Sequence, residues 1–478
     1  MRAIGYLKEA FLSYPCGTAL LYGNLEAPLL IMGENMSEKI SSKQILKKLL
    51  AFSMPLILSG LLQQLFNWVD ALIVGNIIGE TALAGVGATS SLYNLFITAL
   101  VGFTSGLTVL FARQFGEGKH EKNSAVLASY SVILTIAFSA IAALGAVFVS
   151  PILTVMNTAE PLFRYAEDYL RIIFAGIPFL AVYNTYSAAL RGMGNSRVPF
   201  AAVLISSATN AVLDLVFIAL FKWGVSGAAA ATVISQAAMA VFIAAYTAIK
   251  CPKLRFSPFK IKKYLSGLKG SGKFGFPPAV QSSISSVGNV ILQRFMNGFG
   301  EQTVAAITTA YRVDSLLLLP IINLSTAIST LVAQEIGAGN SRAAKKVFRL
   351  GTILMSLMSL ALTALIILTG KNLLSIFGLT EETAAIGERF FRTIAVFYLI
   401  YGLSMSIKGY LEGNSDMIFS GAVGICSLGV RIVCSYAFAE VWGNMVVAYA
   451  EAFSWIFATV VFALRYFCKT ARSQKASK

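Results

Sequence analysis

Histidine is almost missing from this chain. One residue, His120, serves 478 positions, and it stands between Lys119 and Glu121, in company that marks a solvated loop. Catalysis by a positioned imidazole and metal sites built from paired histidines are excluded with it, and the sequence also lacks a nucleophile elbow and a phosphate-binding loop. Cysteine is scarce too. The five residues Cys16, Cys251, Cys426, Cys434 and Cys468 are scattered without a CxxC, so neither a disulfide framework nor a metal site is implied. Charge is the third shortage: only 13% of residues are charged against 56% hydrophobic, and the mean hydropathy is +0.73. A soluble multi-domain protein does not have this composition. The chain is expected to be an integral membrane protein and not an enzyme.

What it has instead is long apolar runs. A helix needs about 20 apolar residues to cross the hydrocarbon. Twelve stretches qualify, at roughly 49–77, 86–112, 124–149, 166–190, 198–221, 225–249, 274–299, 305–335, 345–369, 389–411, 417–439 and 444–467. The net charge of +16 is unevenly placed. Residues 251–272 form a basic linker, with Lys253, Arg255, Lys260, Lys262, Lys263 and Lys269 and no acid, and the tail 469–478 is basic as well. Arg113, Lys119, Arg191, Arg197, Arg342 and Lys345 mark alternate loops, whereas the other connections are short or acidic. By the positive-inside rule the basic segments and both termini face the cytoplasm. The linker lacks the fold and aromatic interleaving of a nucleic-acid site, so no nucleic-acid partner is expected.

The organisation is a duplication. An offset of 221 lays Gly79, Glu80 and Ala84 on Gly300, Glu301 and Ala305, and Ala112, Gly116 and Gly118 on Ala333, Gly337 and Gly339; at 219, Gly194-Asn195-Ser196 falls on Gly413-Asn414-Ser415. Copies in the same sense predict an all-α membrane protein of twelve transmembrane helices, in two six-helix lobes related by a parallel internal repeat. The lobes are expected at 43–250 and 273–468. Residues 1–42 precede the repeat without the pattern of a signal peptide. Met36, followed by Ser-Glu-Lys, reads as the true start, with a short cytoplasmic or interfacial segment as the alternative.

A carboxylate at bilayer depth costs at least about 2.5–3.5 kcal/mol, so one that persists there faces a protein interior or a watery cavity. Asp70 and Asp214 meet this test. Asn210 and Asp214 are four apart and share a helix face. At the helical rise of about 1.5 Å per residue, Asp70 is about 33 Å beyond Lys48 and Asp214 about 26 Å beyond Arg197, while Thr232 is about 12 Å into a helix entering from the opposite side, so the three can meet. Phe66, Trp68, Tyr183 and Tyr186 are candidates to line a substrate cavity through cation–π contact, with ordinary packing or lipid contact as the alternative. Pro55, Pro178, Pro277, Pro278 and Pro320 permit bending within spans. In the second half the charges are Arg312, Asp314, Lys408, Arg431 and Glu451, of which Arg431 and Glu451 are expected to pair.

The duplicated six-span half, the acid in span one, the Asn-x-x-x-Asp of span five and the Arg191-Gly192-Met193-Gly194-Asn195-Ser196 loop after span four together resemble the multidrug and toxic compound extrusion family, from about Lys43 to the end. The resemblance implies two lobes around a central cleft and a secondary active antiporter working by alternating access. It would export organic, often cationic, compounds in exchange for H⁺ or Na⁺, as a monomer in the plasma membrane, with lipids around it and no cofactor beyond the coupling ion. It also implies a cation site of Asp70, Asn210, Asp214, Asn184 and Thr232. Asn184 fits least well, because helical rise from Arg191 places it only about 10 Å from the cytoplasmic edge. Family members with a sodium site in the second lobe carry an acid in span seven where this chain has Gln281, assigned here to the substrate cavity. The alternative is a lipid-linked oligosaccharide flippase of the same superfamily, which the acidic first lobe disfavours; a channel would need a filter sequence that is absent.

Overall fold

The computed structural model describes residues 41–255, 268, 270–375 and 379–476. The expectations for residues 1–40, for most of the basic linker and for the last two residues fall outside it. All regular structure among the described residues is helical. In chain order the helices are α1 (Ser42–Ile73), α2 (Glu80–Gly116), α3 (His120–Val147), the short α4 (Val149–Val155), α5 (Glu160–Ile173), α6 (Ile177–Gly192), α7 (Arg197–Asp214), α8 (Gly224–Lys250), α9 (Gly272–Met296), α10 (Glu301–Gly337), α11 (Ser341–Ser375), α12 (Glu381–Ala395), α13 (Tyr398–Gly413), α14 (Met417–Ala437), the short α15 (Ala439–Trp442) and α16 (Val446–Ala476).

Each of the twelve apolar stretches became helix. Ten helical segments among the described residues are long and apolar enough to cross a membrane, and α12 with α13, bent by 49° at their break, makes an eleventh. The twelfth, α9, is long enough but too polar to pass by composition, since Gln281, Ser282, Ser283, Ser285, Ser286 and Asn289 interrupt it. The protein is a multi-pass membrane protein. Cys426, Cys434 and Cys468 are free.

The chain divides into two compact units. Unit 1 contains Met54–Gly275; unit 2 contains Phe276–Lys478 and the start of α1 up to Ser53. The repeat is visible in the backbone. Gly79 and Gly300 open α2 and α10 with φ of +119° and +87°, and Gly118 and Gly339 follow those helices at +70° and +75°, a region that side chains with a Cβ rarely enter.

The same helix pair also packs closely in each half. Between membrane helices there is no hydrophobic drive to associate, so close contact of small residues does the work. On α6, a Cβ at Gly192 would stand 2.5 Å from Phe111 Cβ and 2.8 Å from the Ala112 nitrogen of α2. On α13, a Cβ at Gly413 would stand 2.7 Å from both the Ser329 carbonyl and Val332 Cγ1 of α10. Gly413→Val is therefore expected to cost at least the ~1–3 kcal/mol of an overpacked core. The loss should appear as a lowered melting temperature and reduced monodisperse yield in detergent; an unchanged melt would mean that the two helices separate freely.

Of the prolines expected to bend spans, Pro55 lies inside α1, Pro277 and Pro278 inside α9, and Pro320 inside α10. Pro178 instead occupies the first turn of α6, directly after the 3₁₀ turn Phe174–Gly176 that divides span four. There its missing N–H leaves no helical bond unmade.

Candidate functional site

The two acids of unit 1 sit at the ends of regular α-helix. Asp70 lies in the last turn of α1, which runs on as a π-helical turn over Val74–Ile78. Asp214 is the last residue of α7, which runs on as a second π-helical turn over Leu215–Leu220. The two π turns touch each other, and each sends one residue, Val74 at 1% exposure and Ile218 at 2%, into the same apolar cluster with Tyr169, Phe174 and Ala229. A π turn widens the helix and shifts its hydrogen-bond register, and such turns are frequent at functional positions. Nothing in the hydropathy pattern announced them.

Three helices bring the polar groups together. The carboxyl groups of Asp70 and Asp214 lie within electrostatic reach of each other. Asn210, one turn before Asp214, sets one end of its amide 2.7 Å from Asp214 Oδ2, and the orientation that satisfies both ends turns the nitrogen there. In that orientation its oxygen faces α8, 3.2 Å from the Thr232 nitrogen and 3.3 Å from Thr232 Oγ1. Asn210 and Asp214 are 1% and 0% exposed. Oδ1 of Asp70 and Oδ1 of Asp214 are both buried without a partner.

Four of the five residues expected at a cation site thus converge. The fifth does not join them: Asn184 Nδ2 donates to the Leu180 carbonyl of its own helix at 2.9 Å, and none of the described contacts ties it to the carboxyls. Sequence reasoning missed a second layer. Gln236, one turn beyond Thr232 on α8, donates through Nε2 to Tyr93 Oη at 3.1 Å, and Tyr169 lies within electrostatic reach of Tyr93 and of both carboxyl groups. Gln236 could have been found, since it extends the face of Thr232 by four residues. Tyr93 and Tyr169 carried no comparable signal.

The candidates for a substrate cavity separate. Tyr183 is 3% exposed, with its hydroxyl 3.5 Å from the Pro199 carbonyl, so it is a packing residue within unit 1. Phe66, Trp68 and Tyr186 are half-buried. Gln281 lies in unit 2, where α9 and α14 meet closely: a Cβ on Gly424 would come within 2.0 Å of its amide nitrogen.

Unit 2 carries a different network. Arg431 of α14 reaches Glu451 of α16 at 3.0 Å and donates to Tyr311 Oη at 2.7 Å. Asp314, 2% exposed, accepts a hydrogen bond from Tyr398 Oη. The expected buried pair is present, and Asp314 belongs with its surroundings through Tyr398. Arg312, on the other side of α10, is exposed. At the 221-residue offset Asp70 falls on Ile291 and Tyr93 on Asp314, so the facing acids of unit 1 have no counterpart in register. Among the described residues no group of three or more His, Cys, Asp or Glu could hold a metal ion.

Comparison with known proteins agrees with this architecture. The chain is 27% identical over 410 residues to the probable multidrug resistance protein YoeA of Bacillus subtilis, covering 84% of this chain and 88% of the relative. It is 26% identical over 396 residues to the probable multidrug resistance protein NorM of Thermotoga maritima, covering 80% and 83%. The crystal structure of a MATE protein in the bent conformation superposes with a TM-score of 0.83 at 22% identity, covering 92% of this chain and 100% of the other, a likeness of fold. The profile of the MatE family matches twice, over residues 55–216 and again over 277–437, once in each half of the repeat. A duplicated helical membrane protein matched across both halves in this way belongs to the MatE, or multidrug and toxic compound extrusion, family of transporters.

Proposed function

We propose that the protein is a secondary active efflux antiporter of the plasma membrane, with both termini in the cytoplasm. It exports organic, often cationic, compounds by alternating access in exchange for an ion bound between Asp70 and Asp214. The observation that carries this reading is the convergence of two acids with unpartnered buried oxygens, Asp70 and Asp214, beside Asn210 and Thr232. The names of the relatives, probable multidrug resistance proteins, support the substrate class.

The physics is charge neutralisation. When both acids are ionised, the pocket holds two negative charges that repel each other and attract a cation. Uptake of an ion removes the attraction and lets the helices close on the neutral pair; losing it on the other side resets the unit. The same geometry favours H⁺ over Na⁺. A proton needs only a carboxyl oxygen, whereas Na⁺ needs several oxygen ligands, and the two buried Oδ1 atoms of Asp70 and Asp214 are without a partner. The acids of unit 1 do not favour the flippase reading, whose diphosphate-linked cargo would be repelled.

Purified protein in proteoliposomes provides the test. An imposed pH gradient alone is expected to drive the movement of a cationic dye, and an imposed Na⁺ gradient at constant pH is expected not to. Transport driven by Na⁺ alone would replace the proton with sodium as the coupling ion. Movement of lipid-linked sugar without any dye transport would remove the antiport reading altogether.

A further inference from the structure

At the far end of unit 2, between the start of α14 and the end of α16, a cleft of about 280 Å³ opens on the surface, lined by Phe419, Val461, Leu464, Arg465, Cys468 and Lys469. Its character is split. Phe419, Val461 and Leu464 make an apolar wall, and Leu464 and the adjacent Phe467 are 61% and 65% exposed. Two cations stand beside that wall. Arg465 Nε and Lys469 Nζ approach one oxygen of Asp416, the residue just before α14, at 2.9 and 2.8 Å. Arg465 Nη2 reaches the other oxygen at 3.3 Å.

One carboxylate does not satisfy two cations. Burial alone would raise the Asp416 carboxyl, but the hydrogen bonds and charges of Arg465 and Lys469 outweigh it and hold the group below its usual range. Asp416 therefore stays ionised, and the cluster keeps one net positive charge. The exposures show where that charge is available: the Asp416 side chain is 12% exposed, while those of Arg465 and Lys469 are 35% and 41% exposed. The Arg465 guanidinium also stands over the Phe419 ring, 4.7 Å from its centroid, which places its charge beside the apolar wall.

We propose that this cleft binds one anionic glycerophospholipid, with the phosphate on Arg465 and Lys469 and an acyl chain along Phe419, Val461 and Leu464. The combination selects a lipid over other occupants. A small anion would use the cations but leave the apolar wall bare, and a zwitterionic lipid would use the wall but gain little from a net positive charge. A basic pocket between helices at the end of a span is the setting in which anionic headgroups are held. Asp416 then has a second role, setting the strength of the site by cancelling one of its two charges.

The test is native mass spectrometry of the full-length protein in mild detergent, titrated with phosphatidylglycerol, with phosphatidylcholine of the same chains, or with inorganic phosphate. The first phosphatidylglycerol is expected to bind about fivefold more tightly than phosphatidylcholine, the worth of about one net charge near a headgroup. Arg465→Gln with Lys469→Gln should abolish that preference. Asp416→Asn should increase it by about another fivefold, although it breaks the same ion pairs. Leu464→Trp, which leaves every charge in place and fills the cleft, should weaken both lipids. If the ion pairs serve only to clamp α14 to α16, Asp416→Asn and the double variant will change together, and the proposal is overturned. Equal binding of the two lipids by the unaltered protein, or displacement of phosphatidylglycerol by millimolar phosphate, would also overturn it, and both arms need no variant to fold.

Discussion

Asp214→Asn is expected to reduce gradient-driven efflux to the background leak. Asparagine has nearly the same shape, so the packing of a side chain that is 0% exposed survives, and what is lost is the ability to change charge. The variant is a permanent imitation of the protonated acid. Without a second ionisable group Asp70 has no like-charged neighbour, and the difference between ion-loaded and ion-free states shrinks. Reversing a two-state equilibrium from 1:99 to 99:1 requires about 5.5 kcal/mol of differential interaction, and each tenfold step in proton affinity supplies about 1.4 kcal/mol. Removing one of two mutually repelling carboxyls takes away several such steps, so a loss of transport well beyond tenfold is expected. Asp70→Asn should match it. Asn210→Ala should be milder, since it removes a hydrogen bond to a charged group worth about 1.5–3 kcal/mol and leaves both acids in place. Dye efflux from everted vesicles, at protein levels matched by immunoblot, measures all three. Gradient-driven efflux by Asp214→Asn equal to that of the parent would remove Asp214 from the coupling site.

How far this site could be read from the sequence depends on the kind of signal each residue gave. Asn210 and Asp214 were legible because helical periodicity puts residues four apart on one face. Asp70 and Thr232 were legible because counting helical rise from basic anchors gives depth. The same count argued against Asn184, and the structure leaves it on its own helix at Leu180. Tyr93, Tyr169 and the two π turns were invisible, because an aromatic in an apolar run looks like packing and a π turn is a shift of hydrogen-bond register set by tertiary contact. Architecture was easier: all twelve apolar stretches fell on helix, even the one in α9, whose serines make it too polar for a simple composition test. The break between α12 and α13 was not foreseen, since Val396 and Phe397 continue the apolar pattern without a proline or glycine to mark it.

The second large effect is expected in unit 2, where Arg431→Met alone should be far more damaging than Arg431→Met combined with Glu451→Met. Glu451 is 7% exposed and has the Arg431 guanidinium at 3.0 Å. Removing the arginine strands its carboxylate in a place where water cannot solvate it, and breaking a buried pair in this way costs about 3–5 kcal/mol. The same change takes the donor from Tyr311 Oη, 2.7 Å away, which adds the penalty of an unmet buried group. Replacing both partners with methionine removes the stranded charge, and apolar replacement of a buried pair is commonly neutral or even stabilising. Thermal unfolding in detergent should therefore show a large drop for the single variant and a melt near that of the parent for the double. If the double variant also keeps proton-driven efflux, the pair is a clamp between α14 and α16. If it is stable and transports nothing, Arg431 and Glu451 take part in the cycle. A single variant as stable as the parent would contradict the burial of the pair itself.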